Sequence, residues 1–401
     1  MRTLLPDPRS SAAGTLSVAA VSCLLLAGCS TPAAGPPGPS GAVVTVSGSS
    51  CVWSGPAPRP GSQQFTVRNT ARTVFSGVLA DSDTGATWAE TGVLAPGTSR
   101  TVRTVLPAGS YRWRCIPYDG EGLVSTVRRT SGTGDGARPG RPVLPLDAAE
   151  ATNAVTDYRA VVSDRLGLLA TDTDALSAAV HDRDRDRERA TWLTAHLDYE
   201  RLGAAYGTFG DLDGAIDGLP AGLPAGTDDP GFTGFLRVER DLWGDADDAR
   251  LTADTQSLGD AVHQLVDGFP TTTTNPGDLP LRAHEILEMA ASRELTGRSD
   301  QGSHTGLATV RANVDGTAMV LDALTVPLAE RDPQVRTSAH TALDGLAGAL
   351  DALRRPDGSW PAPSDLTGAQ REDLDARLGD LLEQLAEVPG LLEMPPDTNP
   401  D

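Results

Sequence analysis

The pattern of apolar and polar positions changes its period once along this chain. Up to about residue 130, apolar and β-branched residues recur in short runs, several of them alternating at every second position. Such runs predict strands, and Gly, Pro, Asn and Asp separate them where turns are required. The predicted strands span residues 43–47, 64–68, 73–79, 101–106, 111–115 and 123–127. Several short strands at this spacing predict a β-sandwich over residues 42–130.

Beyond this region apolar residues recur at helical spacing. The two parts are separated by residues 131–145, which are rich in Gly, Pro and Arg and predict a linker. The predicted helices span residues 149–169, 189–206, 232–243, 247–266, 281–295, 305–328, 333–353 and 365–385. The pattern therefore predicts a multidomain chain in which an all-α helical bundle, over residues 146–395, follows the β domain.

The first 29 residues predict where the protein works. Arg2 and Arg9 precede an apolar run, and residues 24–29 read Leu-Leu-Leu-Ala-Gly-Cys. A positive start followed by a short apolar segment predicts a signal peptide, and the small residues before Cys29 resemble a bacterial lipobox. We predict a lipoprotein signal peptide at 1–28, lipidation of Cys29 and a flexible tether at 29–41. The protein is then extracytoplasmic and anchored to the cell membrane, whereas the alternatives are a secretory signal or an uncleaved anchor.

Charge supports the division into two domains and restricts the partners. Residues 29–140 carry a net charge of +4 and residues 141–401 one of −26, and every basic residue is Arg. Binding to nucleic acid requires a concentrated basic surface, so nucleic acid is not a predicted partner. The absence of Lys excludes Walker-type phosphate binding and Schiff-base chemistry. The acidic part is instead suited to attract cations.

The composition of the β domain excludes a blue-copper centre. Such a centre requires two His with one Cys, but all six His of the chain lie at or beyond His181. We therefore predict no copper in this domain. Its cysteines, Cys51 and Cys115, lie outside the cytoplasm if the signal peptide is correct, and are predicted to form a disulfide.

Three stretches of the helical part resemble motifs of the imelysin family, in particular of its EfeO/EfeM-type members, which are extracytoplasmic proteins associated with iron uptake. The stretches are residues 192–200, 230–243 and 281–290. The resemblance implies an imelysin-type helical domain, and the β domain is similar to the cupredoxin-like domain that precedes it in EfeO proteins. In the family the second stretch usually carries a His-x-x-Glu pair. Here Glu239 is present, but Leu236 stands at the His position.

The resemblance also implies a set of metal ligands. Carried over position by position, it gives four acidic candidates, which are Glu200, Asp211, Asp213 and Glu239. His196 lies one helical turn before Glu200 and is predicted to replace the missing imidazole. His284 and Glu288, also four residues apart, are further candidates. Oxygen donors with an added imidazole favour iron, ferrous or ferric, or zinc.

An alternative interpretation gives these acidic residues a structural role. Glu200 and Glu239 then pair with neighbouring arginines such as Arg201, Arg237 or Arg240, and Asp211 and Asp213 begin a short helix. The sequence leaves both interpretations open.

The resemblance implies a lipid-anchored protein of an EfeUOB-type system that binds iron and delivers it to a membrane permease, with a haem peroxidase as a further partner. No catalytic constellation is visible: there is no Gly-x-Ser-x-Gly elbow, and the stretch around His284 lacks the second His of a zinc-peptidase helix. We therefore predict a protein that is not an enzyme. The alternatives are a metal-dependent peptidase, a ferrous-iron oxidant, or a ligand-binding module with a degenerate metal site.

Overall fold

The computed structural model describes residues 41–117 and 122–394. The predicted signal peptide, the predicted lipidation site Cys29 and nearly all of the predicted tether lie outside the described residues. In the part of the chain that is described, no helix is both long and apolar enough to cross a membrane.

Residues 42–129 form a β domain of two sheets. Its strands are β1 (Ala42–Ser47), β2 (Ser50–Ser54), β3 (Gly61–Asn69), β4 (Phe75–Asp81), β5 (Thr87–Leu94), β6 (Ser99–Leu106), β7 (Ser110–Pro117), β8 (Leu123–Val124) and β9 (Arg128–Arg129). One sheet has the order β2-β1-β3-β6, in which only β1 and β3 pair in parallel. The other has the antiparallel order β5-β4-β7-β8, and β9 also pairs with β7.

Aromatic side chains fill the space between the sheets. Phe65 packs edge-on against Trp53 and Trp113, with ring centroids 5.7 and 5.5 Å apart. Cys51 on β2 and Cys115 on β7 form a disulfide that joins the two sheets. A cross-link between such distant positions typically contributes about 2–4 kcal/mol of stability.

Three strands of the β domain, β2, β5 and β9, are missing from the sequence-based expectation. The strand β5 does not alternate between buried and exposed positions, because its first four residues are all partly or fully exposed. The strand β2 has only five residues and follows directly on a two-residue turn. The strand β9 has only two residues. Period-2 alternation was therefore absent in β5 and too short to be recognised in β2 and β9.

The remainder of the described chain is helical. Its helices are α1 (Ala148–Asp182), α2 (Arg185–Glu200), α3 (Tyr206–Phe209), α4 (Asp211–Asp217), α5 (Phe235–Trp243), α6 (Asp248–Gly268), α7 (Asp278–Met289), α8 (Gly306–Ala323), α9 (Thr325–Arg331), α10 (Pro333–Asp351), α11 (Gly368–Leu385) and α12 (Glu387–Leu391). Their buried faces form one continuous apolar core that reaches from Leu146 to Leu392.

Arg331, at the end of α9, is buried and ties the linker to the helical domain. Its guanidinium donates to the carbonyl oxygens of Leu144 and Pro145 at 2.7 and 2.6 Å. It also donates to both carboxylate oxygens of Glu150 at 2.9 and 2.7 Å. Glu150 completes the capping box at the start of α1 as well, together with Asp147. One carboxylate thus serves both the helix cap and the linker contact.

We expect Glu150→Gln to lower the free energy of unfolding near neutral pH by about 1–3 kcal/mol, because it removes a charge-assisted hydrogen-bond pair. Gln still serves the capping box. The Arg331 hydrogen bonds lower the pKa of Glu150 below 4.5. A lowered folded-state pKa stabilises the fold above the unfolded-state value, and the effect is lost as the pH falls through the folded-state pKa. The difference between wild type and variant should therefore shrink below about pH 4.5.

Urea unfolding followed by helical circular dichroism at a series of pH values measures this difference. Glu383→Gln is the matched control, because Glu383 is exposed and makes no ion pair within the described residues. The prediction is contradicted if Glu150→Gln and Glu383→Gln lose equal free energy of unfolding. It is also contradicted if the difference between wild type and Glu150→Gln persists at the lowest pH at which both are folded.

Candidate metal centre

Three side chains from two helices offer ligand atoms to one point inside the helical domain. They are His196 and Glu200 on α2 and Asp217 at the end of α4, and one atom of each lies within 4.8 Å of the others. The Nε2 atom of His196 lies 3.2 Å from Glu200 Oε1 and 3.6 Å from Asp217 Oδ1. Within residues 41–117 and 122–394, no other three His, Cys, Asp or Glu side chains come together in this way.

Aromatic neighbours fix the imidazole. Trp192, one turn before His196 on α2, stacks on its ring with 4.9 Å between centroids. The Trp192 Nε1 donates to the carbonyl oxygen of Phe235 at 3.0 Å, which holds the indole in place. The Phe235 ring also packs on the imidazole, at a centroid distance of 5.3 Å. These rings leave His196 only 3% exposed.

Several polar atoms of this cluster have no hydrogen-bond partner among the described residues. Both ring nitrogens of His196 and the Oδ1 atom of Asp217 are buried and have no hydrogen-bond partner among the described residues. The distances between Nε2 and the carboxylates are those of ion pairs, but the groups are not aligned as hydrogen bonds. Because buried polar groups are nearly always hydrogen-bonded, this arrangement fits a site that receives a cation.

Close backbone approaches bring the neighbouring helices to this point. At Gly234, where φ is +82°, a Cβ atom would lie 2.1 Å from the carbonyl oxygen of Ile216, so glycine is needed where α5 begins against α4. At Gly316 in α8, a Cβ atom would lie 2.7 Å from the carbonyl oxygen of the residue that follows α2. This packing lets Asn313 Nδ2 donate to Glu200 Oε2 at 2.7 Å. The amide orients the Glu200 carboxylate.

The cluster lines a cavity of about 210 Å³. Leu236 forms part of its wall and is 3% exposed, so the position of the family histidine does face the cavity. Arg293, Glu294 and Ser299 reach the wall from the segment after α7. There the chain passes into a π-helical turn, Ala290–Glu294, which shifts the side-chain register relative to an α-helix.

Tyrosine hydroxyls hold a second carboxylate in the wall. Tyr199 donates to Asp213 Oδ1 at 2.7 Å. Tyr206 stacks on Tyr199, with 4.9 Å between ring centroids, and donates to its carbonyl oxygen at 3.2 Å. Asp213 lies one turn before Asp217 on α4, so the two carboxylates share a face of that helix.

Burial and mutual repulsion make these carboxyl groups difficult to ionise. Burial and the charge of Glu200 raise the pKa of Asp217 to about 7, against the effect of His196. Burial and the same Glu200 charge raise the pKa of Glu294 to about 8. Burial lowers the pKa of His196, but Asp217 and Glu200 outweigh this effect and raise it well above 6.5. A bound cation would offset the repulsion among the carboxylates.

Of the seven predicted ligands, the structure brings His196, Glu200 and Asp213 to the cavity. Asp211 is exposed and does not line it. It precedes Asp213 by two residues, which places it on another side of α4. Asp217 and Glu294 were missed, although the four-residue spacing of Asp213 and Asp217 was a usable signal.

His284 and Glu288 also lie outside the cavity, where they pair with each other at 3.6 Å. Their spacing on one helix face was predicted correctly, but that face is not the one that packs inward. The buried residues of α7 are Leu279, Pro280, Ala283, Ile286 and Leu287.

Glu239 is buried, but its carboxylate contacts a loop and it is not among the residues that line the cavity. Its Oε1 atom accepts hydrogen bonds from the backbone N–H groups of Gln301 and Ser303 at 3.0 and 2.9 Å. Burial raises its pKa to about 7. The carboxyl group thus holds the loop that carries Ser299 and does not line the cavity.

The alternative of arginine pairing does not describe Glu200 or Glu239. The carboxylate of Glu200 contacts His196 and Asn313, and that of Glu239 contacts backbone amides. Asp211 and Asp213 do begin a short helix, α4. The arginines have other partners, which are Asp198 and Asp315 for Arg201, Asp254 for Arg237 and Asp228 for Arg240.

A larger, open cleft of about 870 Å³ lies where the β domain meets the helical domain. Among the described residues that line it, the ionisable side chains are Asp278 and Glu393, and none is a histidine. Among the described residues, the side chains best suited to bind a metal ion therefore line the smaller cavity.

The family model for imelysin matches residues 154–388, which is more than half of the chain. The chain belongs to the imelysin family. This confirms the predicted family and, with the β domain at residues 42–129, the predicted fold class. The matched residues contain every helix that contributes to the cavity.

The chain is similar to proteins named iron uptake system component EfeO. It is 28% identical over 304 residues to the one from Escherichia coli strain K12, which covers 75% of this chain and 78% of that protein. The same values hold for EfeO of Shigella flexneri and of Shigella sonnei strain Ss046. These relatives are named as uptake components and not as enzymes. A solved imelysin-like protein from Psychrobacter arcticum 273-4 has a TM-score of 0.45 at 14% identity and covers 63% of this chain and all of its own.

Proposed function

We propose that this chain is the iron-binding component of an extracytoplasmic iron uptake system and that it binds iron at His196, Glu200 and Asp217. The name of its EfeO relatives supports the role in iron uptake. The observation that carries the site is the buried His196 imidazole. Its two nitrogens have no hydrogen-bond partner among the described residues, while two carboxylates lie within 3.6 Å of Nε2.

The donor set suits a cargo ion that must be both captured and released. One imidazole and two carboxylates favour iron or zinc over softer metals, and three protein donors leave coordination positions open for exchangeable ligands. Asp213 and Glu294 add further carboxyl groups to the wall without joining the three closest donors. Leu236 offers no ligand atom, so we expect binding of moderate strength.

We further propose that lipid on Cys29 anchors the chain outside the membrane, that a membrane permease receives the iron, and that a haem peroxidase is a further partner of the same system. The first 29 residues support the anchor, and the system named for the relatives supports the partners. Mass spectrometry of the mature protein tests the anchor. A mature chain without lipid on Cys29 contradicts it.

Calorimetric titration of the metal-free, detergent-solubilised full chain with ferrous, ferric, zinc and copper ions tests the function. We expect one ion of iron or zinc for each chain, and no copper site in the β domain. The proposed site is wrong if no ion binds, or if His196→Ala combined with Asp217→Asn leaves the stoichiometry and affinity unchanged.

A further inference from the structure

Arg293 is the residue of the cavity that a cation site alone does not explain. Its side chain is exposed to solvent and lines the cavity, and its guanidinium makes no hydrogen bond or ion pair with any described residue. It acts on Asp213 only through its charge. A positive group beside a cation site opposes cation binding, and an anion held between the two relieves that repulsion.

Ser299 is a second donor without a partner on the same wall. It is 5% exposed, and its Oγ atom is buried without a hydrogen-bond partner among the described residues. The hydroxyl lies toward Glu294 but does not reach hydrogen-bond geometry. The loop that carries it is held by the two backbone hydrogen bonds to Glu239. The hydroxyl is therefore positioned in advance and can donate a hydrogen bond to a ligand in the cavity.

The cavity has room for more than a metal ion. Its volume is about 210 Å³, whereas one water molecule takes up about 30 Å³ in the liquid. Three protein donors leave coordination positions open on iron, and the Leu236 side chain has no ligand atom that could fill one of them. A ligand from solution can fill both the open coordination positions and the space toward Arg293.

We propose that the cavity binds its metal ion together with a small dicarboxylate chelator of the size of oxalate, held between the ion and Arg293. One oxygen of each carboxylate coordinates the ion, and the two outer oxygens accept hydrogen bonds from the Arg293 guanidinium and the Ser299 hydroxyl. The planar fork of an arginine matches carboxylate oxygens in this geometry. This inference rests on the proposed metal site and states the form in which the metal is captured.

Titration of the Co²⁺-loaded full chain with oxalate, followed by the visible absorption of the bound cobalt, tests the proposal. We expect a saturable spectral change with cobalt still bound after desalting, no oxalate binding by the metal-free chain, and much weaker binding of acetate. Arg293→Gln should weaken oxalate binding about 10–100-fold and Ser299→Ala about 3–10-fold. Neither variant should lower the affinity for Co²⁺ measured without oxalate.

Arg298→Gln is the matched control, because Arg298 is exposed on the same segment but does not line the cavity. The proposal is overturned if oxalate strips cobalt from the wild type, or if the Arg293 and Arg298 variants bind oxalate equally well. Either result leaves the metal site intact. Failure of the wild type to bind Co²⁺ would remove the metal site and the chelator proposal together.

Discussion

Replacing His196 with Ala should lower the affinity for iron at least about 100-fold, which corresponds to about 2.8 kcal/mol. His196 is the only nitrogen donor of the cluster, and its loss also leaves Glu200 and Asp217 facing each other without a positive partner. The metal-free variant should therefore be less stable as well. Calorimetry with ferrous iron under anaerobic conditions measures the affinity.

Asp217→Asn separates the loss of a ligand from the loss of stability. The amide keeps the volume of the side chain but removes an anionic donor, so affinity should fall about 10-fold or more. Burial and the charge of Glu200 make the ionised form of Asp217 unfavourable. The neutral amide does not carry this cost, so the metal-free variant should unfold at a higher temperature than wild type. General damage to the fold would lower both the metal affinity and the unfolding temperature, so a lower affinity with a higher unfolding temperature indicates the loss of a ligand.

His284→Ala is the control for both variants, because His284 lies outside the cavity. It should change neither the affinity nor the stoichiometry. The assignment of His196 is wrong if His196→Ala binds iron like wild type while Glu239→Ala abolishes binding. That result would indicate that Glu239, the acidic residue of the family motif, binds the metal.

Helical periodicity predicted the helical domain well where a helix has one buried face and one solvent face. The predicted segment 247–266 corresponds to Asp248–Gly268, and 333–353 corresponds to Pro333–Asp351. The first helix was predicted to end at 169 but continues to Asp182. A polar run hides its continuation, because Thr171 and Thr173 bond to the carbonyl oxygens four residues earlier and stay in the helix.

The site was predictable only as far as local spacing determines it. His196 and Glu200 are four residues apart on one helix, so their shared face follows from the sequence alone. His284 and Glu288 have the same spacing, but which face of α7 packs inward depends on tertiary contacts. Glu294 reaches the cavity through a π-helical turn, for which the sequence carries no recognisable signal. Spacing thus predicts which side chains lie together on a helix, but not which cavity they line.

Restoring the family imidazole at Leu236 should raise the affinity for iron or zinc by about 10–100-fold, or about 1.4–2.8 kcal/mol. Leu236 already lines the cavity with His196 and is buried, so His at this position can present a nitrogen to the same ion. Without metal, however, the new imidazole is a buried polar group without a partner, and Leu236→His should lose about 1–3 kcal/mol of stability. Metal should then stabilise this variant more than it stabilises wild type.

Leu219→His provides the matched control, because Leu219 also lines the cavity but is not the position of the family histidine. Thermal unfolding with and without zinc, together with calorimetry, measures both effects. If the two histidine variants gain affinity equally, any added imidazole in the cavity is sufficient, and Leu236 has no special place in the site. If neither gains affinity, the ion is bound too far from this wall, and the open positions on the metal must face Arg293 and Ser299.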